Sequence, residues 1–263
     1  MATPSSGTVD KALDVLDLIA AQERPVRFGE LQRLSPLPKA TLYRLVQTLV
    51  NSGMVVQNPD SGAYSLGVRL VRLAHAAWRQ ASLAPIARPH IDALARSTGL
   101  TVHLAQMDYG HVLYLDRRDG SEADAGFSDA GKIAPAYCTG VGKAMLAHLP
   151  PAELDHVLGM QSFQRFTPTT LGSEAVLRQS LSKIRARGYA VDREEYQSGV
   201  LCVASAILSG EGRPLGAVSL SGSADRIDMG TLEGWVPRLA ECVEEIAEEA
   251  TQWAFPVERS AAR

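Results

Sequence analysis

Apolar positions along this chain follow two rhythms, and the switch between them divides it. From residue 8 to about 21, Ala12, Leu13, Val15, Leu16 and Ile19 recur at helical spacing, which predicts an amphipathic helix capped by Thr8. Gln22-Glu23-Arg24-Pro25 stops it, and Phe28, Leu31 and Leu34 mark a short second helix closed by Ser35-Pro36. A third helix opens at Leu37-Pro38-Lys39, because a proline in the first turn lacks only an N–H that has no helical partner. Its Leu42, Leu45, Val46 and Leu49 share one face, and Asn51-Ser52-Gly53 ends it. Residues 54–57 and 63–66 read as short strands about the turn Asn58-Pro59-Asp60-Ser61-Gly62. Three helices followed by a hairpin predict a winged helix-turn-helix over residues 1–66.

Residues 67–80 continue as an alanine-rich helix, with Val68, Val71 and Leu73 apolar and Arg69, Arg72 and Arg79 polar. This is either an ordinary amphipathic helix or a linker that pairs with a partner chain. A helix over 85–98 follows, stopped by Gly99. From Leu100 the period changes to two: 101–106 and 111–116 read as a hairpin about Asp108-Tyr109-Gly110. Helices are predicted at 140–149, 151–158 and 173–187, extended chain at 189–192, and apolar strands at 200–208 and 215–221. A closing helix runs over 232–253. Helices mixed with a mostly antiparallel sheet predict an α+β domain over 81–255, with 256–263 as a disordered tail.

Composition narrows the class. At 263 residues, 46% hydrophobic and 21% charged, the chain reads as a soluble protein of two domains. The longest apolar stretch, near 200–208, is too short for a membrane span. The first seven residues lack the charged and apolar regions of a signal peptide and read as a flexible tail. Cys138, Cys202 and Cys242 have no paired spacing, which fits a reducing cytoplasm and argues against a disulfide scaffold or zinc ribbon. Net charge is -3, unevenly spread: residues 1–80 hold 9 Lys/Arg against 6 Asp/Glu, the remainder 17 against 23. A mildly basic head suits nucleic acid, though weakly.

The polar face of the third helix carries Lys39, Thr41, Tyr43, Arg44, Gln47 and Thr48, side chains that reach phosphates and base edges. Lys39 and Arg44 are the main candidates for phosphate or guanine. Thr41, Tyr43 and Gln47 are candidates for base edges or backbone oxygens, with Ala40 in the same first turn; Thr41 and Tyr43 could instead be shared with the packing of the first helix. Arg27 and Tyr64 are candidates for the DNA backbone. Any surface helix also shows a polar face. Further on, Tyr137-Cys138-Thr139-Gly140-Val141-Gly142 is a glycine-rich turn into a helix, where free N–H groups favour an anion. It lacks a phosphate-loop pattern, which argues against a nucleotide. Ser219 and Ser221 share one face of a strand. They offer hydroxyls to a ligand or bond to backbone as small buried residues, and Asp192 likewise accepts from a ligand or braces a turn.

These motifs together resemble the IclR family of bacterial transcriptional regulators, from about Thr8 to Trp253. The resemblance is carried by Leu37-Pro38-Lys39-Ala40-Thr41 with Arg44-Leu45, Tyr64-Ser65-Leu66-Gly67, Thr139-Gly140-Val141-Gly142-Lys143-Ala144, Ile184-Arg185-Ala186-Arg187-Gly188-Tyr189-Ala190, Asp192-Arg193-Glu194-Glu195 with Gly199-Val200, and Ser219-Leu220-Ser221-Gly222. It implies a winged-helix head, a linker helix and a GAF-like effector domain, assembled as dimers or dimers of dimers. It also implies a cytoplasmic repressor or activator answering a small metabolite, with a double-stranded DNA operator as partner and no cofactor, metal or membrane. By motif, the effector pocket maps to Gly140, Val141, Asp192, Val200, Cys202, Ser219 and Ser221. Tyr137 and Cys138 depart from the family's frequent His-Ala or His-Thr, and Tyr137 offers a hydroxyl to a sugar acid or aromatic acid. Three rival classes remain: a thiol hydrolase using Cys138 with His103, His111 or His148; a metal sensor, against which His75, His90 and His103 show no ligand spacing; and a winged helix for protein contacts alone.

Overall fold

The computed structural model describes residues 7–22, 24–81, 83–121 and 130–251. The expected tails, and the last two residues of the expected closing helix, lie outside the described residues. The chain divides into two compact units between Gln80 and Ala81.

The first unit begins with α1 (Thr8–Ala20). Gly7, rather than Thr8, stands at its cap, and the Gly7 N–H donates to the Asp10 carboxylate at 2.8 Å. Val15, Leu16 and Ile19 are buried, but Leu13 is 52% exposed, because at 100° per residue it falls outside the stripe they form. The α2 helix (Phe28–Leu34) and α3 (Lys39–Asn51) follow. Pro38 lies just outside α3, with φ −57° and ψ 141°, rather than within its first turn. The antiparallel wing pairs β1 (Val55–Gln57) with β2 (Tyr64–Leu66). Val26 adds a further rung that sequence reading missed: its N–H donates to Tyr64 O and its carbonyl accepts from Tyr64 N–H. Val15, Leu31, Leu42, Val46, Val55 and Tyr64 form one core beneath these elements. The α4 helix (Val68–Ala81) comes next. Its Val68, Val71 and Leu73 are all exposed.

The second unit contains α5 (Ala84–Thr98), β3 (Thr101–Asp108), β4 (His111–Arg118), β5 (Ile133–Pro135), a 3₁₀ turn (Ala136–Cys138) and α6 (Gly140–Leu146). It continues through α7 (Pro151–Gly159), α8 (Glu174–Arg187), β6 (Ala190–Arg193), β7 (Val200–Leu208), β8 (Pro214–Ser223), α9 (Met229–Gly234) and α10 (Val236–Thr251). The six strands make one antiparallel sheet in the order β5-β4-β3-β8-β7-β6. Helices α5 and α10 cover one face, and α6 covers the other with α8 behind it. A sheet covered on both faces needs apolar residues on both, and β8 is buried from Gly216 to Gly222.

Three elements differ from the expected ones. Strand β5 is too short to show a period. Helix α6 ends at Leu146, before the Pro150-Pro151 pair. The closing helix is two helices broken at Trp235, since Pro237 cannot donate to a continuous ladder and its ring would clash with the carbonyl one turn back.

Candidate functional site

On the first unit, α3 presents Lys39, Ala40, Tyr43 and Arg44 to solvent, with Thr41 and Gln47 half-buried. Tyr43 stands edge-on to Phe28, ring centroids 5.6 Å apart, which steadies it against α2. Arg27 is exposed where α2 begins, its backbone N–H donating to Glu30 at 3.0 Å. Tyr64 is different. It is 3% exposed and belongs to the core. The alternation of β2 turns it inward, burial raises its phenol pKa, and its hydroxyl partners the Gln47 side chain. The reading of Tyr64 as a DNA contact is therefore corrected: it is a packing residue of the wing.

On the second unit, the strand register assembles a cavity on the α6 face of the sheet. Asp192 lies beside Cys202, Cys202 beside Ser221, and Ser221 beside Thr101. In the neighbouring row, Ala204, Ser219 and His103 are paired. Because side chains alternate with period two, both rows face the same way. The space between these side chains, open mouth and adjoining solvent included, is about 430 Å³. Asp192, Cys202, Ser219 and Ser221 line it from the sheet, and Thr139, Gly140 and Val141 from the start of α6. Val200 lines it at the head of β7. Five of its lining residues were not assigned from sequence: His103, Tyr114, Thr139, Tyr196 and Gln197.

Tyr137 is not in that lining. Its ring packs on Phe163 at 5.1 Å and its hydroxyl donates to Gln164 O at 2.6 Å. It is buried in the core and absent from the cavity lining, which corrects its assignment as an effector contact. Gly140 is required by space: a Cβ there would lie 2.7 Å from Cys202 Sγ.

Beneath the cavity lies a buried charge cluster. Lys143 is 1% exposed; its ammonium donates to Val191 O at 2.7 Å and pairs with the Glu195 carboxylate. Asp192 accepts from the Glu195 N–H at 2.8 Å and from the Gly140 N–H. The first N–H of α6, expected to be free for an anion, is thus occupied by Asp192. Burial raises the Asp192 carboxyl to about 7, with Lys143 opposing and Glu195 reinforcing the rise. Threonines strap the segment after β6: Thr167 and Thr169 Oγ1 donate to Glu194 O, and Thr170 Oγ1 donates to Glu195 O at 2.6 Å. Phe166 stands edge-on to Tyr196 over this segment. Burial, followed by the charge of Asp192, pushes the Cys138 and Cys202 thiols up to about 12. Thiols so far above neutrality supply no thiolate nucleophile. Among the described residues, no three His, Cys, Asp or Glu are placed to hold a metal ion, and no helix is long and apolar enough to cross a membrane.

A winged helix and a domain enclosing a polar cavity, on one chain, define a transcriptional regulator with a DNA-binding head and an effector domain. Residues 8–59 match the IclR helix-turn-helix domain and residues 75–248 the bacterial transcriptional regulator IclR C-terminal domain. The chain belongs to the IclR family. It is 35% identical over 225 residues to the HTH-type transcriptional regulator XynR of Escherichia coli, covering 86% of this chain and 89% of that protein. The crystal structure of the Thermotoga maritima IclR superposes with a TM-score of 0.73 at 31% identity, covering 93% of this chain and 98% of that one. An IclR homolog of Microbacterium hydrocarbonoxydans, complexed with 4-hydroxybenzoate, shares the fold with a TM-score of 0.77 at 24% identity, covering 92% and 98%.

Proposed function

We propose that this regulator represses a catabolic operon in the cytoplasm, and that a small organic acid, a sugar acid or an aromatic acid, binds in the cavity and changes its hold on DNA. The lining carries this reading: Ser219, Ser221 and Thr139 offer hydroxyls, His103 and Gln197 offer nitrogen, and Val141 and Val200 supply the apolar share. The 4-hydroxybenzoate complex of a protein with this fold is in keeping with it. In the head, Lys39, Arg44 and Arg27 hold phosphates, while Thr41, Tyr43, Gln47 and the turn at Ala40 lie against base edges. Repression is the simplest mode, since a bound head occludes the promoter by itself.

Two heads on a roughly palindromic site need a homodimer, or a dimer of dimers. The exposed Val9 and Leu13 on α1, with Val68 and Val71 on α4, offer the apolar surface for it. The domain limits that go with this are 1–66 for the head, 67–80 for the linker and 81–255 for the effector domain.

Thermal shift of the full-length chain against a panel of organic acids tests the reading. A ligand at about a hundred times its Kd stabilises by roughly 2.7 kcal/mol. A hit abolished by Ser219→Ala with Ser221→Ala supports the cavity as its site; a hit unchanged by both substitutions moves the ligand elsewhere.

A further inference from the structure

The charge balance of the cavity sets a condition on any acid that enters it. Asp192 is in the lining, and among the described residues no lysine or arginine is. The nearby cation, Lys143, is buried beneath and already held by Val191 O and Glu195. Glu195 is itself buried, and its Oε2 has no hydrogen-bond partner among the described residues. Two buried carboxylates therefore share one ammonium before any ligand arrives.

We propose that the cavity binds a monocarboxylate together with one proton from solvent, held on the Asp192 carboxyl, so that the occupied site carries the same net charge as the empty one. This rests on the organic-acid reading of the cavity. A ligand carboxylate beside an ionised Asp192 would place two like charges next to each other in a buried setting, and such pairs share a proton. Once protonated, Asp192 becomes an O–H donor to the incoming carboxylate, a short charge-assisted bond. The only bond formed is that O–H, and the proton returns to solvent on release.

Every element around Asp192 agrees. Lys143 faces it from α6 and Glu195 from the segment after β6; the neutral thiols of Cys138 and Cys202 approach from the 3₁₀ turn and β7. His103 on β3, Tyr114 on β4 and Tyr196 line the same space. The empty site already holds the Asp192 carboxyl near neutrality, at about 7, so the proton is taken up within the physiological range. The same balance selects against dianions: a dicarboxylate or a phosphorylated acid needs a second proton, and no cation among the described lining residues replaces it.

Titration calorimetry on the full-length protein tests this with glycerate, gluconate, benzoate and 4-hydroxybenzoate, from pH 6 to 9, in buffers of different ionisation enthalpy. Below Asp192's titration the empty site is already protonated, so affinity is level. Above it, each bound acid takes up close to one proton, and affinity falls by about tenfold per pH unit. Malate and 3-phosphoglycerate bind far more weakly than the monocarboxylates. Asp192→Asn, which keeps an acceptor for the Glu195 N–H and adds a donor, binds without proton uptake and with affinity independent of pH. Affinity independent of pH in the unaltered protein, with no uptake in either buffer, overturns the proposal without disturbing the organic-acid reading. So does uptake that persists in Asp192→Asn and disappears in His103→Asn. If none of the acids binds at any pH, the organic-acid reading fails, and this inference with it.

Discussion

Single residues decide how the cavity is built, and two substitutions isolate their roles. Lys143→Met leaves the buried Asp192 and Glu195 carboxylates without their cation. Removing one partner of a buried pair costs about 3–5 kcal/mol, so chemical denaturation of this variant should show a loss of that order. A loss under about 1 kcal/mol, the range of exposed pairs, would mean that the pair is solvated in solution. Gly140→Ala places a Cβ 2.7 Å from Cys202 Sγ, within the cavity lining. Overpacking of this kind costs about 1–3 kcal/mol. The variant should fold, lose that much stability, and lose the thermal shift given by any acid that binds the unaltered protein. At this scale the sequence was partly readable. The serine pair on β8 and the glycine at α6 stand in local motifs. His103 does not: it joins the site only because β3 pairs with β8, more than a hundred residues away, in a register no local pattern states. The direction of Tyr137 was equally hidden, since it depends on a single 3₁₀ turn.

At the scale of elements, long periodic segments were legible and short ones were not. The stripe of Leu42, Leu45, Val46 and Leu49 defined α3, because four apolar residues at helical spacing have one way to be buried together. Three-residue β5 and the Val26 rung carry no period, and only tertiary pairing makes them strands. The Pro237 break was readable from the proline rule, yet the sequence reading ran one helix across it. The division within α3 between buried and exposed faces leads to a paired prediction. Arg44→Ala should weaken binding to all DNA sequences and flatten the salt dependence, by about 0.9 in slope for each phosphate no longer neutralised, leaving stability nearly unchanged. Tyr64→Ala should instead cost about 3 kcal/mol of stability in the head, as large core truncations do. Equal salt slopes for Arg44→Ala and the unaltered protein, measured by anisotropy, would remove Arg44 from the interface.

For the whole molecule, fold and family agree with the order of elements read from the chain, while the assembly and its regulation rest on surfaces that one chain leaves open. Val68 is 79% exposed and Val71 55% exposed on α4. If a second copy covers them, Val68→Glu with Val71→Glu should shift the protein toward monomer in sedimentation, with at least a tenfold weaker dimer. An unchanged sedimentation coefficient would place the interface elsewhere.

The proposed regulation depends on one coupling: occupancy of the cavity must change how tightly the head holds DNA. The direct measurement is the affinity of the full-length protein for an operator selected from its own binding sites, by fluorescence anisotropy at fixed salt, with and without a bound organic acid. A several-fold change in Kd is expected for the unaltered protein and none for the Ser219→Ala, Ser221→Ala variant. An acid that binds the cavity tightly and leaves the DNA affinity unchanged would contradict the coupling, since a ligand with no preference between two states shifts neither.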